Sequence, residues 1–534
     1  MARQTPPPMS QMLKSSGAMA AATLSSRVLG MVREMVYARF MGTSWVASAF
    51  VMAFQVPNLF RRLLGEGALT AAFIPIFKEK EKRDGDAAMW HAARAVLSGL
   101  LVFATLIIIL GFVVLSAVLF FGAQMHDGQP RFSAKVLLML QLLRVMLPYL
   151  LLVCVAAVFM GMLNARGHFF IPAMGATTLN LVMIASVFWL APHLGTQMHE
   201  QVFALAIGVV LAGVVQAWFQ LPALRREGFR YRWITPWRDE TVRRVVKQML
   251  PATIGVAAFQ LNVVTVNVLA YWSDDYVVAA FQCAVRLMEL PQGLFGLSLA
   301  AYLLPTLSGL AAEKNFDAFR RELSQGANYL VFVNLIASGL LFTLAEPIIR
   351  LIFEGGEFDA TSTAQASLAL TCLAPGLVLF SLVNVFARAF YALGDTRTPM
   401  RISVFCLTLN LGLAAVLVWR FKQAGLGLAN TTSAALNFGL LFYALRRKLT
   451  KLEMQSLRRA IGPLLLATAL AGVVAWWGWR SWEGALGHAT LWRKFGAVFA
   501  PAIAAGILYW LVTLALKVSA AKEMLHFVQR KPAS

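Results

Sequence analysis

The sequence of 534 residues contains no Gly-Lys dipeptide, so a GxxxxGK[ST] phosphate loop and the nucleotide-driven motor it would serve are excluded. Its seven histidines are scattered, mostly through polar connections, and none forms an HExxH pair, which leaves helix-borne zinc chemistry without ligands. Four cysteines, Cys154, Cys283, Cys372 and Cys406, stand far apart in apolar runs with no CxxC spacing. They read as small buried side chains, not as disulfides or metal ligands. Charge is scarce as well: Asp, Glu, Lys and Arg make up 13% of the chain, where soluble domains carry roughly 25%. Acidic pairs in the connections have no soluble domain to enclose them, so no catalytic residue, metal site or cofactor is expected and the chain reads as a non-enzyme.

What the sequence has instead is apolar length. Hydrophobic residues make up 59% of it, and the runs approach the ~20 residues that carry a helix across ~30 Å of hydrocarbon. The runs do not alternate polar and apolar residues as barrel strands must, and only helices and closed barrels satisfy the backbone in lipid. The reading is an all-α polytopic membrane protein of about fourteen transmembrane helices. The spans fall at 17–41, 46–77, 95–121, 136–163, 170–191, 201–222, 247–272, 277–310, 325–352, 364–392, 400–419, 424–445, 460–479 and 495–516.

A net charge of +22 would suit nucleic acid, but the basic residues collect in alternate connections, as positive-inside sorting requires. No nucleic-acid partner is therefore expected. The pattern puts both termini in the cytoplasm and leaves Asp274, Asp275, Glu354, Glu357 and Asp359 outside. The polar segment through Lys14 runs into a long helix without a cleavage signal, so that helix is expected to be retained. Trp45, Trp218, Trp272, Trp419, Trp482 and Trp492 lie near span ends, where indoles anchor at headgroup depth. The connection 222–246 carries Arg225, Arg226, Arg230, Arg232, Arg238, Arg243 and Arg244 with Trp233 and Trp237 among them. It reads as a helix on the membrane surface over anionic lipid, with a docking surface for a soluble partner as the other reading.

The chain also resembles itself. PYLLLVCVAAVFMGMLNARGHFFIP from Pro148 parallels PGLVLFSLVNVFARAFYALGDTRTP from Pro375, with Pro148/Pro375, Gly167/Gly394 and Pro172/Pro399 matched at one fixed separation. ALRR at 223–226 recurs at 444–447. Duplicated bundles of one orientation follow: an N-lobe of six helices over 1–224, a second six-helix lobe over 225–450, and two appended helices with a tail over 451–534. The plainer account is that Pro and Gly punctuate helix ends everywhere.

The costliest residues are arginines inside the spans, each about 2.5–3.5 kcal/mol at mid-bilayer. They are Arg27, Arg33, Arg39, Arg61, Arg62, Arg144, Arg286 and Arg388. Such charges must pair, snorkel or line a watery cavity. Arg62 with Glu66, Arg286 with Glu289, and Arg27 with Glu34 share helix faces and can neutralise one another. Snorkelling serves Arg39 and Arg144, and Arg388 lies near a helix end. Arg27, Arg33, Arg61 and Arg286 are the candidates for a cationic substrate-binding cavity, supported by Pro57, Asn58, Arg62, Glu66 and Glu289. Guanidinium forks suit a phosphate or pyrophosphate better than a metal or an apolar drug. Pro57, Gly65, Gly67 and Pro75 interrupt the second span, and Pro291, Gly293, Gly296 and Pro305 the eighth. Broken helices are tolerated only against protein or water, so both spans are expected to border the cavity.

SSRVLGMVREMVYARFMG followed by PNLFRRLLGEGALTAAFIPIF resembles the amino-terminal signature of the MurJ (MviN) family of lipid II flippases. RLMELPQG at 286–293, LLPTLS at 303–308 and FYALGDTRTP at 390–399 extend the likeness over essentially the whole chain. The resemblance implies a fourteen-helix member of the multidrug/oligosaccharidyl-lipid/polysaccharide exporter superfamily, with a cationic cavity between two lobes. Its substrate would be undecaprenyl-pyrophosphate-linked disaccharide pentapeptide, moved to the outer leaflet of the bacterial inner membrane for peptidoglycan synthesis. By motif, Arg27, Arg33, Arg61 and Arg286 match the family's cavity arginines, and Glu66 and Glu289 its acidic positions. A groove beside the last two helices would hold the polyprenyl tail. Ser48 stands where the family often has Asp, Val285 where it often has Asp, and Gln55 where Lys is common. Some members are associated with sodium at helices seven, eleven and twelve, but those spans contain no Asp or Glu here.

The expected function is flipping of lipid II by alternating access. Its partners are lipid II and membrane lipids, with proteins of cell-wall synthesis or division as further candidates. The alternatives are export of another polyprenyl-linked glycan or of drugs, and a scaffold of the cell-wall machinery that no longer transports. A chamber for cationic drugs would want acids, not arginines.

Overall fold

A computed structural model of the chain describes residues 9–63, 69–126, 129–452 and 454–523. Regular structure among them is helical apart from a short hairpin, Met125–His126 against Gln129–Pro130. This is the outcome that lipid imposes, since a backbone without water must bond to itself. The chain divides into two compact units, Met1–Val264 and Thr265–Ser534.

The first unit holds α1 (Met9–Met41), α2 (Trp45–Phe60), α3 (Leu69–Ala123), α4 (Ala134–Met146), α5 (Tyr149–Ala165), α6 (Phe170–Ala185), α7 (Met198–Gln201), α8 (Phe203–Arg226) and most of α9 (Glu240–Ser273). Its core stacks Phe73, Phe77, Trp90, Phe159 and Phe229, with neighbouring ring centroids 5.3–6.1 Å apart. The second unit continues with α10 (Val277–Pro291), α11 (Ser298–Ala312), α12 (Phe316–Thr343), α13 (Ala345–Ile352), α14 (Ala360–Leu373), α15 (Gly376–Ala392), α16 (Arg397–Lys448), α17 (Gln455–Leu486) and α18 (Leu491–Ala515). Its core draws on α11, α12, α15 to α18, around Phe319, Phe386 and Phe390. Tyr509 of α18 donates to the carbonyl of Phe332 at 2.7 Å, which fixes the last helix to α12.

Among the described residues, eight helices are long and apolar enough to cross a membrane, and up to ten are if each bent pair counts as one span. The chain is thus a multi-pass helical membrane protein. The bends sit where the sequence has its prolines and glycines. α4 and α5 meet at 43° and α14 and α15 at 45°, and α3 breaks at Gly85, whose φ of 81° favours glycine. The second expected span is interrupted after Pro57 by a π turn over 61–63. The eighth is interrupted by a π turn, Gln292–Leu297, directly after Pro291. Within that turn a Cβ on Gly296 would lie 2.6 Å from Ser381 Oγ, so the glycine lets α15 approach closely.

The repeated segments share local geometry. α5 and α15 each have 17 residues and each begins after a proline at φ −60°. Both end in a left-handed glycine, Gly167 at φ 87° and Gly394 at φ 71°. The next residue closes the turn in both, His168 N–H to Leu163 O and Asp395 N–H to Phe390 O, at 2.9 Å each. These residues then reach the end of the last long helix of the repeat. His168 Nε2 lies 2.8 Å from Glu227 after α8, and Lys448 at the end of α16 donates to Asp395 at 2.6 Å. The same contact is built twice with the carboxylate on opposite sides of it, Glu227 at the helix end in one and Asp395 in the turn in the other.

The connection 222–246 is not the surface helix expected. After α8 the chain is irregular up to a single 3-10 turn, Pro236–Arg238. Phe229 is buried, the Ser98 hydroxyl meets both Tyr231 Oη (3.2 Å) and Ile234 N–H (3.3 Å), and Pro236 is buried. Those anchors, with Gly228 at φ 95°, hold the segment as a strap against α3 and outweigh its amphipathic composition. Arg230, Arg232, Trp233, Trp237 and Arg238 remain exposed along it. Of the six tryptophans expected as anchors, Trp218, Trp272, Trp419 and Trp492 are exposed and Trp45 and Trp482 half-buried. All four cysteines are free thiols, Cys154 and Cys406 buried and the others half-buried.

Candidate functional site

The candidate arginines stand on the elements that the sequence singled out, in two settings. In the first unit, Arg27 and Arg33 lie on α1. Six residues turn the helix by about 600°, so the two side chains leave it about 120° apart. Arg27 is exposed. Arg33 is only 14% exposed and faces α6. Its Nη1 donates to Asn180 Oδ1 at 3.1 Å and lies 3.9 Å from Met183 Sδ, Nη2 pairs with Glu34, and the guanidinium stands 5.7 Å from the Tyr37 ring centroid. The expected Arg27–Glu34 pairing is replaced by this Arg33–Glu34 pair. Arg33 Nε is buried without a hydrogen-bond partner.

Arg61 and Arg62 occupy the π turn that ends α2. Pro57 is buried in the last turn, and Asn58 Oδ1 accepts from Arg61 Nε at 3.1 Å. Asn58 thus orients the guanidinium it was expected to support. Arg62 Nη1 reaches Gln260 Oε1 of α9 at 3.5 Å. Glu66, the acidic partner expected for Arg62, lies outside the described residues. Ser48, where an acid was expected by resemblance, is buried in α2.

In the second unit, Arg286 of α10 pairs with Glu289 one turn on, Nη1 to Oε2 at 2.9 Å, as the i,i+3 spacing allows. The pair is not sealed: Arg286 is 35% exposed and Glu289 50%. It stands one turn before Pro291 and the π turn, so the charged pair and the weak point of the helix adjoin. Arg144 and Arg388 are half-buried.

Two sets of residues were not legible beforehand. Asn180 and Gln260 are buried amides in apolar helices, a signal that polar residues in a span always carry. The second is a charged cluster at the end of the second unit assigned to the outside. Arg350 of α13 donates to Glu346, Glu354 and Glu483 at 2.6, 3.3 and 2.7 Å, and Lys494 of α18 donates to Glu354 at 2.9 Å. Trp479 Nε1 donates to Glu483 at 2.9 Å, and Thr363 Oγ1 to Glu354 at the same distance. This cluster fastens α13 and the start of α14 to the α17–α18 pair. No group of three or more His, Cys, Asp or Glu side chains among the described residues is placed to hold a metal ion.

Known proteins share both the sequence and the architecture. A family model described as lipid II flippase MurJ matches residues 37–495. A probable lipid II flippase MurJ of Vibrio cholerae is 34% identical over 441 residues, covering 82% of this chain and 83% of the relative. The lipid II flippase MurJ of Burkholderia cenocepacia is 32% identical over 463 residues, covering 85% and 88%. Among solved structures, a lipid II flippase MurJ in an inward closed conformation superposes with a TM-score of 0.73 at 20% identity, over 95% of this chain and 99% of that one. An inward-facing multidrug resistance MATE family transporter of the MOP superfamily gives 0.64 at 17% identity, over 82% and 99%, and so shares the fold. With a family match over residues 37–495 and a relative 34% identical over 82% of its length, the chain belongs to the lipid II flippase MurJ family.

Proposed function

We propose that this protein translocates lipid II from the inner to the outer leaflet of the bacterial inner membrane by alternating access, with both termini cytoplasmic. The observation that carries the reading is the family match over residues 37–495. The arginines give it a chemical basis. A diphosphate entering the hydrocarbon zone needs fixed donors, and Arg27, Arg33, Arg61 and Arg286 would supply them, since guanidinium forks match phosphate oxygens. Arg27 is exposed and Arg286 is partly so, which leaves both able to meet a ligand. Asn58 and Glu289 orient two of the four, and Pro57, Arg62 and Glu66 complete the support. Fourteen spans, the lobes at 1–224 and 225–450 and the appended 451–534 belong to the same proposal, as do partners among cell-wall synthesis or division proteins. Membrane potential is a driving force available to such charges, at about 2.3 kcal/mol per charge per 100 mV.

Arg61→Ala and Arg286→Ala should each abolish growth of a flippase-depleted strain while the protein stays in the membrane. Lipid II should then accumulate unlabelled by an impermeant outer-leaflet probe. Full growth with both arginines replaced would rule out their role, and an unchanged leaflet distribution on depletion would point to the scaffold reading.

A further inference from the structure

Asn180 is a buried amide in the apolar helix α6, and both ends of it are used. Its Oδ1 accepts from Arg33 Nη1 at 3.1 Å, and its Nδ2 donates to the carbonyl oxygen of Ser26 at 3.1 Å. Ser26 and Arg33 are seven residues apart on α1, two helical turns, and therefore lie on one face. Gly30 stands between them, and a Cβ there would come to 3.6 Å from Nδ2, so the amide rests on the bare backbone of α1. A leucine would fill the same space without the desolvation that a buried amide costs, so the polar group has to be explained by what it bonds.

What it bonds is a long side chain with many rotamers to lose on ordering. Glu34 pairs with Arg33 but rides on the same helix, so it cannot fix the guanidinium relative to α6. Asn180 does, and its second bond, to the carbonyl just before Arg27, fixes the turn of α1 from which Arg27 projects. With Nη1 held, the buried Nε of Arg33 remains an unspent donor.

We infer that Asn180 is a positioning residue for head-group transport, holding Arg33 in a set orientation against α6 before the diphosphate arrives. The inference rests on the reading of Arg33 as a diphosphate-binding residue. Pre-ordering acts on ground-state and transition-state binding alike, so its loss should appear in KM and not in kcat.

The test measures initial rates of lipid II translocation in vesicles of increasing lipid II content, for wild type, Arg33→Ala, Asn180→Leu, Asn180→Asp and the Arg33→Ala/Asn180→Leu double variant, each quantified in the membrane. Asn180→Leu should raise KM about tenfold, the loss of one charge-assisted hydrogen bond, with kcat within about twofold. Asn180→Asp keeps an acceptor for Arg33 but loses the donor to Ser26 and adds a negative charge where the diphosphate must bind, so its KM should rise at least as far as that of Asn180→Leu. The double variant should be no worse than Arg33→Ala alone. If Arg33→Ala impairs transport but Asn180→Leu does not, or the two effects are additive, the positioning role is overturned and the binding role of Arg33 stands. If Asn180→Asp transports with a wild-type KM at equal membrane levels, neither the Ser26 bond nor the charge beside Arg33 is felt by the substrate and the inference is again overturned. If Arg33→Ala itself transports normally, the binding role falls first and the inference falls with it.

Discussion

Removing Arg350 should loosen the last two helices from the rest of the second unit, and the structure sets the size of the effect. Its side chain is 12% exposed and serves three carboxylates of unequal weight. Glu346 is the most exposed of them, so its pair contributes no more than a surface bridge, below about 1 kcal/mol. Glu354 is reached only at 3.3 Å and keeps Lys494 and Thr363 as donors when Arg350 is gone. Glu483 accepts at 2.7 Å and would retain Trp479 and His488, of which only a protonated His488 brings charge. Arg350→Met is therefore expected to cost about 2–4 kcal/mol, below the upper end for breaking a fully buried pair from one side. Arg350→Lys keeps the charge, but one ammonium cannot span a planar fan of three acceptors, and it should cost about 1–2 kcal/mol.

The assay is thermal unfolding of the purified protein in detergent, with hydrogen exchange to locate the change. Exchange should quicken first at the ends of α17 and α18 near Glu483 and Lys494. Glu483→Gln combined with Arg350→Met should destabilise by less than the two single effects together, because they share one bond. Acid should mimic the loss. Burial alone would raise the Glu354 carboxyl, but hydrogen bonds from Lys494 and Thr363 outweigh it and hold it below its ordinary 4.5. A depressed carboxyl stabilises the fold above its unfolded value and ceases to do so as pH falls through the folded one. An Arg350→Met midpoint equal to wild type, or exchange unchanged in α17 and α18, would refute the assignment of this cluster as their fastening.

Gly296→Ala should destabilise the second unit by about 1–3 kcal/mol through overpacking, because the added methyl would meet Ser381 Oγ at 2.6 Å; Ser381→Gly in the same chain should restore most of the loss in a thermal midpoint. Asp395 is held at about 2 by the Lys448 ammonium and the Thr398 N–H. It therefore stabilises the fold above its unfolded 3.8 and stops doing so as pH falls through about 2. Since Lys448 is 39% exposed, Asp395→Asn should cost no more than about 1 kcal/mol at neutral pH, and the cost should shrink between the unfolded 3.8 and the folded value of about 2, read as the two midpoints drawing together.

Much of the architecture was legible because lipid leaves so few options. Apolar runs become helices, and π turns follow Pro291 directly and Pro57 four residues on, while Pro75 and Pro305, expected to interrupt the same spans, lie inside helix. Arg286 and Glu289 met because one helical turn brings them together whatever surrounds them. The readings that went astray depended on distant chain. Arg33 turns to Asn180, 147 residues away, a choice that no local spacing encodes; Arg62 reaches Gln260, 198 away, while Glu66, its expected partner, lies outside the described residues. The strap after α8 looked amphipathic, but buried Phe229 and the Ser98 hydroxyl decide its path, and both are tertiary facts. The apolar runs at 136–163 and 364–392, each read as one span, are apolar enough to cross as one only with both of their helices, which meet at a bend beside Pro148 or Pro375.

The two exchanged ion pairs are the stronger argument for duplication, because they test it with chemistry instead of with glycines and prolines that mark helix ends in any protein. In the first unit the turn after α5 offers the Arg166 guanidinium and the His168 imidazole, and the end of α8 offers Glu227. In the second the turn after α15 offers Asp395 and the end of α16 offers Lys448. Exchanging only one member would set like charges against each other, so a contact with both members exchanged is one whose attraction has been kept while its residues changed. The two versions also differ in how they depend on pH. Arg166 donates to Glu227 at 2.9 Å and to Glu81 at 2.6 Å, so the first brace keeps a permanent cation whether or not His168 is charged. The second has one cation and one carboxylate and fails when that carboxylate is protonated. Each brace ties the turn after a proline-bent helix to the far end of its repeat, on the side assigned to the cytoplasm. The π turns at 61–63 and Gln292–Leu297 stand beside Arg61 and Arg286, two of the charges proposed to carry the diphosphate.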